Sequence, residues 1–154
     1  MADMDKSALF RALSARLEAR LATQRGASLD AADYATNDEA KATSKWDTQG
    51  LEASYLAAGQ AHLAKETAAD LAKLQAVAAA FQFPASRLAP GALLTVDFGD
   101  GPEFFLVAPC GAGEVLEDRA SGTEVTVITS QTPLFAQLQA EQNNPKANRL
   151  QQIN

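Results

Sequence analysis

Little in this chain supports redox or nucleophilic chemistry. Its 154 residues include one cysteine, Cys110, and one histidine, His62. A lone cysteine closes no internal disulfide, which fits a reducing compartment. Cys110 has no base beside it in sequence, and neither residue sits in a metal-ligand pattern, so nothing points to a catalytic thiol or a zinc site. Basic residues number 13 against 19 acidic ones, and the net charge of −6 argues against direct electrostatic binding of DNA or RNA. No apolar run approaches the roughly 18–20 residues of a membrane span. The opening Met1-Ala-Asp-Met-Asp-Lys6 is acidic and polar, unlike a secretory signal. The expectation is a soluble cytoplasmic protein that binds neither membrane nor specific nucleic-acid sequence.

What the chain does have is alanine. It supplies much of the 47% hydrophobic content, while aromatics reach only 6%. Alanine favours helix and close helix packing but adds little to a large core. Along the first third, Phe10, Leu13, Leu17 and Leu21 follow spacings of three and four, and Leu71, Leu74, Val77 and Phe81 mirror them. Facing Phe10 with Phe81, Leu17 with Leu74 and Leu21 with Leu71 centres the fold-back on Lys45-Trp46. This is a coiled-coil seam closed into an antiparallel hairpin. Arms of about 35 residues would reach roughly 50 Å.

The first helix should start near Lys6, capped by Asp3 or Asp5, and extend to about Thr43. The second should hold Glu52 in its first turn and run to about Phe81, with Gly59 offering the facing arm room for close approach. Ser44, Asp47, Thr48 and Gly50 give the intervening segment turn and cap chemistry. Pro84 ends the hairpin, so the chain divides into a helical hairpin, 1–83, with its tip near 44–51, and a second domain, 84–154.

That second domain changes character. Ala92–Phe98 reads as a strand, Gly99-Asp-Gly101 as a tight turn and Glu103–Ala108 as its hairpin partner. Val115-Leu116 is a short piece and Glu124–Thr129 a strand. Thr132–Leu138 is a helical turn with Thr132 as cap and Pro133 at the first position, and Arg149–Ile153 closes the sheet. The fold class is therefore α+β: a long N-terminal antiparallel hairpin followed by a small antiparallel sheet with one short helix. The isolated glycines of Gly99–Gly101 and Gly111–Gly113 precede no phosphate-binding helix and read as turns.

Charge along the hairpin is uneven. Lys6, Arg11, Arg16, Arg20 and Arg25 face only Glu18 in the first stretch, whereas Asp30, Asp33, Asp38, Glu39, Asp47 and Glu52 outnumber Lys41 and Lys45 beyond it. An acidic end on a long probe suits a basic cavity or a metal ion. Two readings stand for the tip. Asp47 is a helix cap and Glu52 a first-turn partner of the helix dipole, or both are ligands. Trp46 and Tyr55 either pack on one another and the hairpin side or meet a partner.

Three segments resemble one known family. Glu52-Ala-Ser-Tyr-Leu-Ala-Ala58 is similar to the segment that opens the second helix after the hairpin tip in the Gre family of bacterial transcript-cleavage factors. Val125-Thr-Val-Ile-Thr-Ser-Gln-Thr-Pro-Leu-Phe-Ala-Gln-Leu138 resembles that family's C-terminal signature, a strand running into a short helix. The strands around Gly99-Asp-Gly101 are similar to those that precede it. The resemblance spans roughly residues 8 to 138, and order and spacing carry its weight.

It implies an FKBP-like sheet domain and a partner, RNA polymerase. In the family the sheet domain docks at the rim of the secondary channel, here through Thr132, Pro133 and Leu134, while the hairpin reaches toward the active site. It further implies that Asp47 and Glu52 would hold a Mg²⁺ shared with the polymerase. The protein would then have no cofactor or catalytic residue of its own, and two metals would cut the backtracked RNA. The competing expectation is a coiled-coil adaptor of the same architecture whose tip residues are only caps.

Overall fold

The computed structural model describes residues 4–36, 49–144 and 149–154. Two long helices come first, α1 (Lys6–Thr36) and α2 (Gln49–Ala76), then a 3-10 turn (Ala78–Gln82). Five strands follow, β1 (Leu93–Asp97), β2 (Pro102–Val107), β3 (Val115–Asp118), β4 (Thr123–Ile128) and β5 (Leu150–Ile153), with α3 (Pro133–Gln142) between the last two. The class is α+β. The chain forms two compact units, one of residues 1–15 with 70–154 and the other of residues 16–69.

The first unit begins with a capped helix. Asp5 Oδ1 accepts the Ala8 amide at 3.2 Å, satisfying a donor that the first turn leaves unpaired. Behind the cap, Leu9, Leu13, Leu74 and Phe81 are buried, and the Phe10 and Phe81 rings meet at 5.0 Å, the facing that the mirrored seam predicts. The second helix stops at Ala76 rather than Phe81. Val77 N bonds Leu74 O at 3.2 Å and Ala80 N bonds Val77 O at 3.0 Å. These i→i−3 bonds wind the backbone more tightly than an α-helix, and Phe81 lies buried within the tightened turn.

The sheet runs in the order β3-β4-β2-β1-β5. It is mixed, not antiparallel: β1 pairs antiparallel with both β2 and β5 and β3 with β4, but β2 and β4 run parallel, with Leu106 opposite Val127. The connection after β2 accounts for this. It carries the chain past the neighbouring position to the sheet edge, where β3 runs back, so β4 fills the gap in the same direction as β2. Ala108 N to Ile128 O at 3.0 Å and Gly113 N to Val127 O at 2.9 Å bind the connection to β4.

Strand alternation sends residues to two buried faces. Leu94, Val96, Val107 and Ile128 pack with Phe135 and Leu138 of α3, and Leu150 joins them from β5. Leu93, Leu106, Leu116, Val125 and Val127, on the opposite face, are equally buried.

The unit of residues 16–69 has a thinner seam. Leu17, Leu21, Ala31, Ala64 and Thr67 are its buried positions among the described residues. Thr67 Oγ1 donates to Gln24 Oε1 at 2.6 Å and Ser28 Oγ to Ala57 O at 3.1 Å, so the two helical segments run antiparallel. α1 passes through Gly26 without interruption. A Cβ added at Gly59 would meet nothing within 4 Å. The expected close approach at Gly59 is therefore absent, because the facing arm lies on the other side of its helix.

Candidate functional site

Glu52 stands in the first turn of α2, where a carboxylate complements the partial positive charge of unpaired amides. It is exposed and has an interaction within the chain. Tyr55, three residues on, is 70% exposed, so its ring is presented to solvent. Trp46 and Asp47, the remaining tip candidates, lie outside the described residues. Among the described residues no group of three or more His, Cys, Asp or Glu side chains comes together in a metal-ligating arrangement. Glu52 thus brings a single carboxylate, where a divalent cation of the magnesium type takes six oxygen ligands.

Along residues 16–69 the described surface is more apolar than Glu52 and Tyr55 alone suggest. Leu51, Leu56 and Leu63 of α2 and Leu29 of α1 are all exposed. Spacing alone does not show this: Leu63 stands four residues before Thr67 and Leu29 eight after Leu21, both compatible with the seam, yet both are exposed.

The second candidate region is the junction between β4 and α3. Pro133 opens α3, where its missing N–H costs nothing. Thr132 is the residue before it, but its hydroxyl does not cap the helix. Its Oγ1 instead accepts the Thr129 amide at 3.0 Å, which closes a tight turn at the end of the strand. Thr132, Pro133 and Leu134 line an open, largely apolar groove of about 520 Å³ together with Phe105, Ala112 and Val127. Its lining residues include three threonines and Gln131 but no charged side chain.

Charge anchors the far end of α3. Arg149 Nε and Nη2 donate to Glu141 at 2.9 and 2.6 Å, and the guanidinium lies 5.3 Å from the centre of the Phe98 ring. The hydrogen bond from Arg149 holds the Glu141 carboxyl below its ordinary range. This pair also ties β5 to α3, across the residues 145–148 that lie outside the description.

Neither remaining reactive side chain is poised for chemistry. Cys110 is buried and its Sγ donates to Asp70 O at 3.3 Å; burial first, then the nearby Asp70 charge, pushes its thiol up, which favours the protonated form. His62 pairs with Glu66 at 3.1 Å on an exposed helix face. No helix among the described residues is long and apolar enough to cross a membrane. No family model, no curated protein and no solved structure matches the chain.

Proposed function

We propose that this protein is a Gre-like regulator of bacterial RNA polymerase, with an FKBP-like sheet unit that docks on the enzyme and a helical pair that enters its secondary channel. One observation carries the reading. The segment Val125–Leu138, which resembles the Gre signature, folds as β4, a Thr132 turn and a helix opened by Pro133, downstream of two long helices. The apolar groove at that junction supplies a docking surface, and the exposed Glu52 and Tyr55 supply contacts at the start of α2.

In this reading the chemistry belongs to the polymerase. Asp47 and Glu52 would hold a Mg²⁺ shared with the enzyme, and that ion would supply Lewis-acid stabilisation of charge in phosphodiester cleavage. The protein is then an accessory to catalysis and acts only in the complex.

The test is RNA cleavage in a backtracked elongation complex with Mg²⁺. Wild type should raise the rate at least about tenfold, and Asp47→Ala/Glu52→Ala should abolish the gain, as loss of a metal's ligands does. Leu134→Glu should remove binding to core polymerase while leaving the circular dichroism unchanged. Binding without stimulation, together with protection against another cleavage factor, would mark a channel-occupying regulator. No binding at all would sink the polymerase reading. The exposed leucines at 51, 56 and 63 would then favour a coiled-coil adaptor for another protein.

A further inference from the structure

Within residues 16–69, one ridge of α1 has opposite charges at its two ends. Arg25, Leu29 and Asp33 follow at intervals of four, so they lie along one line of the helix surface. At 1.5 Å per residue the cation and the carboxylate stand about 6 Å to either side of Leu29. Leu29 is 65% exposed. Beside it runs an open groove lined by Ser28, Ala61, Ala64 and Ala68, with Arg25 and Lys65 also at its wall. Leu29 is thus a projecting apolar knob next to a shallow alanine trough that it does not fill.

We propose that a second copy of this chain covers this face, packed antiparallel about a two-fold axis at Leu29. Charge selects both the partner and its direction. Reversing the ridge brings Arg25 of each copy onto Asp33 of the other, twice over, as an isologous interface requires. A parallel pairing would set Arg25 on Arg25 and Asp33 on Asp33. A partner of one charge sign would match one end of the ridge and oppose the other.

In the antiparallel arrangement the two Leu29 side chains meet at the axis, and the troughs beside them face each other, where the alanines allow close helix approach. Asp33 also has an interaction within its own chain, so the second guanidinium adds to that contact. Rim pairs of this kind set orientation more than affinity, and the affinity comes from burying Leu29 and the alanines. The association concerns the free protein and is independent of the polymerase reading.

Sedimentation equilibrium of the full chain over a concentration series tests it. Wild type should interconvert between monomer and dimer with a Kd of about 1–100 μM, the range of a small reversible interface. Leu29→Glu sets two carboxylates together at the axis and should raise Kd at least about tenfold. Arg25→Glu, which faces Asp33, should do the same, and the exchange Arg25→Asp/Asp33→Arg should return Kd to within about threefold of wild type. All these positions are exposed, and circular dichroism checks that each variant keeps its helix content. A wild type that stays monomeric to about 1 mM overturns the proposal. So does a dimer indifferent to Leu29→Glu, or an exchange variant no better than Arg25→Glu alone.

Discussion

In the sheet unit, bulky side chains meet from both faces of five strands. Leu94, Val96, Leu106, Val125 and Val127 are all inaccessible to solvent. In the helical unit the seam is mostly alanine and threonine beyond Leu21, and Leu29, Leu51, Tyr55, Leu56 and Leu63 face outward. Gly91 and Gly59 show the same contrast, although Gly99, Gly101, Gly113 and Gly122 of the sheet unit are as open as Gly59. Gly91 has φ +96° and its Cα is so close to α2's extension that an added Cβ would stand 2.6 Å from Ala80 O, whereas Gly59 opens onto empty space. The sheet unit buries most of its large apolar residues, with Phe83, Phe98 and Val115 exposed, whereas in the helical unit the exposed ones outnumber the buried Leu17 and Leu21 among the described residues. An alanine seam buries little area per residue, so a two-helix element of this composition derives little stability from its own packing. Its outward leucines become useful only against something else.

The largest test of this contrast is Gly91→Ala. The new methyl would collide with backbone atoms of Ala80, and the left-handed φ is unfavourable for any side chain. Gly91 also donates to Val107 O at 2.8 Å and accepts from Lys6 Nζ at 2.6 Å, so the backbone cannot move aside freely. The variant should lose about 3–4 kcal/mol, read from urea unfolding. A loss below about 1 kcal/mol would mean that the sheet unit yields where it should be rigid.

Next comes Lys6→Met. Lys6 is only 8% exposed, and its ammonium donates to Phe83 O at 2.5 Å, Gly91 O at 2.6 Å and Asn154 O at 3.1 Å. Burial pulls its pKa below the usual lysine value, while the three carbonyls replace the water it has lost. Methionine keeps the stem and removes every donor, so about 2–3 kcal/mol should disappear. An unchanged midpoint would show that the carbonyls find water instead and that this junction is wet.

Gly59→Ala should act in the opposite direction. With nothing near the added methyl, the helix gains about 0.5–1 kcal/mol, most visible as slower amide exchange in α2. Destabilisation would reveal a neighbour that the open surface conceals, and so would weaken the comparison of the two units.

The smallest effect concerns Glu141 and Arg149. Because the folded-state pKa of Glu141 is lowered, its contribution is present above the ordinary glutamate value and is lost as pH falls through the lowered one. Wild type should therefore lose more stability than Glu141→Gln between about pH 5 and about pH 3. Equal losses would show that the pair holds β5 to α3 by geometry alone.

Much of the fold was legible from residues whose local chemistry and tertiary role agree. Asp5 caps α1, Pro133 opens α3, and the Gly99–Gly101 turn joins β1 to β2 as its glycines suggest. The parallel pairing of β2 with β4 was not legible. A strand's alternation says which face a residue takes, never which strand lies beside it or in which direction. Lys6 gave no signal either: a lysine at a helix start ordinarily stands in water. The candidate docking groove has a partly local origin, in Thr132–Leu134, but Phe105 and Ala112 reach it only through the sheet.

By itself the amino-acid order determined the two long helices, the seam that faces Phe10 to Phe81, and the positions of most strands, since each rests on periodicity or a cap within a few residues. Tertiary structure alone decided the strand order, the site of the tightened turn before Phe81, the burial of Lys6 and which leucines stay outside. These depend on what approaches from distant parts of the chain, and close packing leaves room for only one answer at each.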